Sequence, residues 1–209
     1  MHNNTAISEL IAAGKWASQR GWVPATGGNF SARTESGFVV TASGFDKGQL
    51  GSHTFIELDH VGNRTRGAGR PSAETELHLS MYKLIPSANF VLHTHSVAAT
   101  VLSRVIKGHS LNLQGYEMQK SLAGVSSHLD TLSIPIFDNH QDIDHLSLLV
   151  SDHHLHTPIE HAVLIRGHGL YVVGRNSKEV MRHLEGLEFL FSCELERLKL
   201  EGIQAGVNP

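Results

Sequence analysis

A single cysteine, Cys193, stands in 209 residues. No internal disulfide is possible, and nothing points to an oxidising compartment. Charge of one sign is also missing: the formal net charge is -3, so no strong field favours nucleic acid or an anionic membrane. Aromatic residues are few, at 6%. None interleaves with the arginines of the loop from Asp59 to Gly69, which reads as a solvated turn and not as a nucleic-acid surface. No apolar run is as long as a membrane span. The start, Met1-His2-Asn3-Asn4-Thr5, lacks the basic and apolar stretches of a signal peptide. The expectation is a soluble, cytoplasmic chain. With 40% hydrophobic residues, it can build a substantial core. Without repeats, low-complexity segments or a long linker, residues 1–209 read as one domain, with 202–209 as a loose tail.

What the chain does have is histidine, 16 in all. The count alone decides little, since histidine is both a common metal ligand and an ordinary surface residue. Placement says more. In Phe90-Val91-Leu92-His93-Thr94-His95-Ser96, an apolar run ends in two histidines one residue apart. On a strand such residues point the same way, so His93 and His95 present two imidazoles together, half of a metal site. Ser96 is placed to cap a following helix. Cupin barrels also pair histidines, but in β-rich chains, and here a helical run follows.

Two places offer further ligands. In Asp152-His153-His154-Leu155-His156, His154 and His156 form a rival clasp, but the segment reads as a solvated loop without groups to orient ligands. In Arg166-Gly167-His168-Gly169, a histidine sits between two glycines at the tip of an apolar hairpin, Ala162–Ile165 and Leu170–Val173. That is an odd place for a packing residue, and His168 is the third ligand of this reading.

The remaining pattern is an alternation of helices and strands. Thr5–Arg20 reads as a helix capped by Thr5 and stopped by Gly21. Phe38–Thr41 and Phe55–Leu58 read as strands. A helix opens at Pro71-Ser72 and ends at Pro86. Ser133–Phe137 reads as an edge strand because Pro135 cannot donate to a ladder. Asp142–Val150 reads as helical, and a long helix runs from about Ser177 to Leu200. Cys193 falls within it as a buried filler. Two turns rich in small residues, Ala25-Thr26-Gly27-Gly28-Asn29 and Ala42-Ser43-Gly44, let a ligand approach the backbone and suit an anion such as phosphate, with Ser72. Neither has P-loop or dinucleotide spacing.

Three histidines around a divalent ion leave a position open, as catalytic zinc sites require. Glu74 and Glu117 are the carboxylates available for acid/base work. The residues therefore suggest a metal-assisted enzyme acting on a small phosphorylated carbonyl compound.

The sequence resembles the class II aldolase/adducin family along nearly its whole length. The matching marks are Thr26-Gly27-Gly28-Asn29-Phe30-Ser31, Thr41-Ala42-Ser43-Gly44, Arg70-Pro71-Ser72-Ala73-Glu74, His93-Thr94-His95-Ser96 and Gly167-His168-Gly169. The resemblance implies an α/β, three-layer fold: a mainly antiparallel central sheet with helices on both faces. It implies one zinc per subunit held by His93, His95 and His168. It implies substrate phosphate held by Thr26, Gly28 and Asn29, by Ser43 and Gly44, and by Ser72; Ala73 stands where members often carry a second serine. It implies Glu117 as acid/base residue, in a Glu-Met segment like that of the family's dehydratases, whereas the family's aldolases place a catalytic or metal-binding glutamate where Glu74 stands. The implied activity is zinc-dependent dehydration of 5-methylthioribulose 1-phosphate in methionine salvage. Alternatives within the resemblance are a sugar-phosphate aldolase or epimerase and, more remotely, a non-catalytic adducin-like interaction domain. The family's usual assembly is a ring-like homotetramer with a site shared between subunits.

Overall fold

The structure, a computed structural model, describes the backbone of residues 1–207 and side chains through residue 202. Apolar residues three and four apart make the first helix, α1 (Asn3–Gln19), which buries Ala6, Ile7, Leu10, Ala13 and Ala17. It begins before Thr5: His2 occupies the cap position, and no side chain caps it. An antiparallel meander follows, β1 (Asn29–Thr34), β2 (Gly37–Thr41), β3 (Phe55–Leu58) and β4 (Arg64–Arg66). β4 corrects the plain loop expected over 59–69. Its three residues are all exposed, so no apolar alternation marks it as a strand.

Helix α2 (Thr75–Leu84) starts later than Pro71-Ser72 suggests. Pro71 is held in an isolated bridge to Ala42, so the capping signals lie in the turn that leads into the helix. β5 (Phe90–Thr94) comes next, then α3 (Val97–Val105). As expected, Ser96 caps α3, its Oγ accepting from the Ala99 N–H at 3.0 Å. β6 (Ser110–Leu113), a 3₁₀ turn (Glu117–Ser121) and β7 (Leu132–Phe137) follow. α4 (Ile143–His156) is capped by Asp142 and takes in His153 to His156, correcting the loop expected there. β8 (Ala162–Ile165) and β9 (Gly169–Gly174) form the expected hairpin. α5 (Ser177–Val207) extends past Leu200 through most of the expected loose tail; residues 208–209 lie outside the described part.

The nine strands form one sheet in the order β4-β3-β2-β1-β5-β9-β8-β7-β6. Every neighbouring pair is antiparallel except β7–β8. β7 is an inner strand, not the edge that Pro135 suggests: its pairing with β8 runs over Ile136 and Phe137, past the proline. One core joins α1, α3 and α5 to the sheet through Leu10, Leu102, Leu187 and Phe191. The other joins α2 and α4 to the opposite face through Leu77, Met81, Leu146 and Val150. Along β5 the alternation is direct: Phe90 and Leu92 enter the first core and Val91 the second. The expected layers are therefore present, with β5 at the centre of the sheet.

The end of β5 is packed against backbone. A Cβ at Gly169 would lie 2.0 Å from the Thr94 carbonyl oxygen and 3.0 Å from His95 Cδ2. A Cβ at Gly108 would meet nothing within 4 Å. Gly169→Ala is therefore expected to destabilise the fold by about 1–3 kcal/mol, the usual cost of overpacking. Gly108→Ala should leave the denaturant midpoint nearly unchanged, and equal midpoints for the two variants would contradict this packing.

Candidate metal centre

Two elements far apart in sequence supply the three histidines. His93 is the penultimate residue of β5 and His95 lies just past its end, while His168 sits on the β8–β9 turn. That turn is held from α3. The Gly167 N–H donates to Ser103 Oγ at 2.9 Å, and the His168 carbonyl accepts from Thr100 Oγ1 at 3.1 Å. Arg166 anchors it further, donating to the carbonyls of Ser103 and Ile106 at 2.7 Å each and of Gly108 at 2.9 Å, and to Asp138 at 2.6 Å. The hairpin tip is thus fixed, and its histidine is aimed.

Ligand atoms of His93, His95 and His168 all lie within 4.8 Å of one another, and among the described residues this is the one such group. His93 Nε2 is 2.7 Å from His95 Nε2 and 3.3 Å from His168 Nε2. His93 Nδ1 lies 3.1 Å from the Leu170 carbonyl. A carbonyl only accepts, so Nδ1 carries the proton and Nε2 keeps its lone pair for the cluster. Burial pushes His93 well below its ordinary value. Burial, and then the charge of His168, bring His95 down to about 4. Both rings are therefore neutral at neutral pH, as metal ligands must be. Tyr171 of β9 stacks on His93, centroids 3.9 Å apart. Three convergent imidazole nitrogens, one with its tautomer set from behind, fit a divalent metal ion.

Of the two candidate carboxylates, the fold brings Glu74 to this cluster. Its Oε1 lies 3.0 Å from His168 Nε2 and its Oε2 3.4 Å from His93 Nε2. Burial opposes ionisation of Glu74, but the hydrogen bond to His168, the adjacent His93 and His168 imidazoles and the Asn29 amide outweigh it and hold the carboxyl below its usual range. Glu117 stands elsewhere. It is 72% exposed, on the 3₁₀ turn against α5, and pairs with Lys120 at 2.7 Å and His128 at 3.5 Å.

The small-residue turns do converge. The Phe30 N–H donates to Thr41 Oγ1 at 3.0 Å, and the Ser43 N–H to the Arg70 carbonyl at 2.9 Å. Thr26, Ser43 and Gly44 are exposed, and Ser72 is half-buried. Gly28 has φ +74°, and a Cβ there would lie 2.5 Å from the His93 carbonyl oxygen, so this turn needs a glycine. The Asn29 side-chain amide donates to Glu74, and its Oδ1 has no partner among the described residues. The rival histidines do not converge: His154 Nδ1 accepts from the Ile159 N–H at 3.1 Å, and His153 packs on Phe137.

Two groups at the site are missed by the sequence reading. Lys47 is buried, and its ammonium bonds the Thr26 and Phe45 carbonyls. Glu188 of α5 is buried behind the ligand pair, accepting from Thr94 Oγ1 at 3.5 Å, and burial raises it to about 7. A polar residue at an otherwise apolar helix position was the available hint for Glu188. Lys47 had none, being a charged residue in a polar turn.

Residues 8–195 match the Class II Aldolase and Adducin N-terminal domain family. A protein of Pseudoalteromonas translucida named methylthioribulose-1-phosphate dehydratase is 73% identical over 207 residues, covering 99% of this chain and 98% of that protein. A protein of the same name from Pectobacterium carotovorum is 52% identical over 202 residues, covering 96% and 98%. Among solved structures, the l-fuculose-1-phosphate aldolase of Thermus thermophilus aligns with TM-score 0.74 at 24% identity, covering 93% of this chain and 96% of that one. A sugar-phosphate aldolase of Thermotoga maritima aligns with TM-score 0.69 at 20% identity, covering 100% and 99%. By its sequence match and its fold, the chain belongs to the class II aldolase and adducin N-terminal domain family.

Proposed function

We propose that the chain catalyses loss of water from 5-methylthioribulose 1-phosphate, giving 5-methylthio-2,3-dioxopentyl phosphate in methionine salvage. The observation that carries the reading is the convergence of His93, His95 and His168 within 4.8 Å, in a chain 73% identical to a protein named for that reaction. His93, His95 and His168 would hold the ion, with zinc the choice because three imidazoles leave it an open position. When bound, the ion supplies Lewis-acid stabilisation of negative charge on the substrate's C2 and C3 oxygens.

The turns carrying Thr26, Gly28 and Asn29, Ser43 and Gly44, with Ser72, would seat the phosphate and so place C3 and C4 near the histidines. A carboxylate takes the proton from C3. The same carboxyl then gives it to the C4 hydroxyl, which leaves as water, and the resulting enol tautomerises to the 2,3-diketone. Glu117 is the proposed acid/base residue. Exposed on its own subunit, it reaches a reacting centre across a subunit contact, as in the homotetramer expected of the family. Glu74, already ionised beside His168, is the alternative base or a fourth donor to the ion. The proposed site of action is the cytoplasm, a compartment that a chain with a single cysteine suits.

His93→Ala and His95→Ala are each expected to remove bound zinc and turnover together, read by metal analysis and by product formation; full activity in a metal-free variant would sink the assignment. Glu117→Gln should keep the zinc and lower kcat by about 10²–10⁴-fold, the weight of a general acid/base. Unchanged kcat would pass that role to Glu74. Incubation with methylthioribulose 1-phosphate should yield the diketone, whereas fragments from C3–C4 cleavage would turn the reading toward an aldolase.

A further inference from the structure

Lys47 is 2% exposed. Its ammonium donates to the Thr26 and Phe45 carbonyls, at 2.5 and 2.7 Å. Among the described residues it forms no ion pair with a carboxylate within 4.0 Å. The adjacent Asp46 is turned away: its Oδ1 accepts from the Gly48 N–H at 2.8 Å and its Oδ2 from the Gln49 amide at 3.3 Å. Burial pushes the ammonium below its ordinary value, while the more distant charges of Asp46 and Glu74 act the other way. A buried charge without a counter-charge is costly and usually paired. Two carbonyls satisfy two of the three ammonium donors and neutralise none of its charge.

Its position gives this cost a use. Thr26 belongs to one small-residue turn and Phe45 follows the other, so one side chain ties the two together. The first turn touches the histidines: a Cβ at Gly27 would lie 2.8 Å from His95 Nδ1. The second opens outward, since a Cβ at Gly44 would meet nothing within 4 Å. Thr26, Ser43, Gly44 and Phe45 are all exposed. The junction therefore combines a cation with a spare donor, two hydroxyls and free space, beside the metal ligands.

We propose that Lys47 is the counter-charge of the substrate's phosphate, binding one phosphate oxygen at the junction of the Thr26–Asn29 and Ser43-Gly44 turns. This rests on the proposed reading of the site as one for a phosphorylated ketose. It adds a residue that acts through its charge, where the other donors at the junction are neutral. It also makes both turns dependent on one side chain, so the distance between the phosphate and the histidines is set by Lys47.

The test uses the full-length, zinc-loaded protein with Lys47→Met and Lys47→Gln, inorganic phosphate as the probe, and metal analysis throughout. In the parent protein, phosphate should raise the melting temperature and inhibit turnover competitively. Lys47→Met should keep its zinc and melt no lower without phosphate, because an unpaired buried charge has been removed. It should lose the phosphate-induced rise, and its KM for the phosphorylated substrate should increase about 10- to 100-fold, the weight of one charge-assisted hydrogen bond, with a smaller change in kcat. Should Lys47→Met not fold, Lys47→Gln supplies amide donors to the carbonyls without the charge, and it is expected to fold and show the same loss. Retention of the phosphate response and of KM in a folded variant would overturn the proposal, as would a parent protein whose melting temperature ignores phosphate. A Lys47-dependent phosphate response in a protein that does not dehydrate methylthioribulose 1-phosphate would support Lys47 and sink the proposed reaction instead.

Discussion

Three imidazole nitrogens must be kept unprotonated and aimed at one point, and much of the structure around β5 serves that constraint. Burial disfavours a second, charging proton on His93 and His95. The Leu170 carbonyl at 3.1 Å sets the tautomer of His93. Tyr171 stacks on the same ring, its centroid 3.9 Å away. Lone pairs facing one another at 2.7 and 3.3 Å repel unless a cation or shared protons lie between them. The cluster can be held only by strong supports behind it, and those supports are backbone. Gly28 and Gly169 let main chain press against the His93 and Thr94 carbonyls, where any Cβ would collide with the oxygen. Arg166 fixes the third ligand's turn to the end of α3 and the loop after it, through the carbonyls of Ser103, Ile106 and Gly108.

The two faces of β5 divide the work. His93 points toward the α2 face, where Glu74, Asn29 and Tyr171 gather. Thr94 points toward α5, where Glu188 accepts its hydroxyl. A central strand buried on both sides is stiff, because each residue is packed from above or below and bonded laterally to β1 and β9. Ligands at the end of such a strand inherit that stiffness, which a metal centre needs for its geometry. The exposed lip formed by Thr26, Ser43 and Gly44 carries no such packing. There the backbone turns are joined through Lys47.

Much of this was legible in the residues. Individual elements follow from apolar spacing, as in α1 and α5, while their layering is what the family resemblance implies. The candidate metal ligands follow from a period of two in His93-Thr94-His95 and from a histidine flanked by glycines at a hairpin tip. The errors were local. β4 has no apolar residue to reveal it, and α4 continues through a histidine run that has no helical stripe of its own. Pro135 suggested an edge, but its strand pairs on both sides by starting the parallel ladder one residue later.

By itself the sequence determined which side chains can bind a metal and which turns can approach an anion. Those properties belong to residue chemistry and to the backbone period, both of which are local. Tertiary structure alone decided which of them meet. His93 and His168 are 75 positions apart and touch because β9 pairs with β5. Glu74 reaches the histidines and Glu117 does not within one chain, a distinction no spacing along the chain could make. Lys47 reads as a charged turn residue and is a buried cation with no carboxylate within 4.0 Å among the described residues. Its surroundings come from α1 and two separate turns, and burial is set by what packs around a residue, not by its own character.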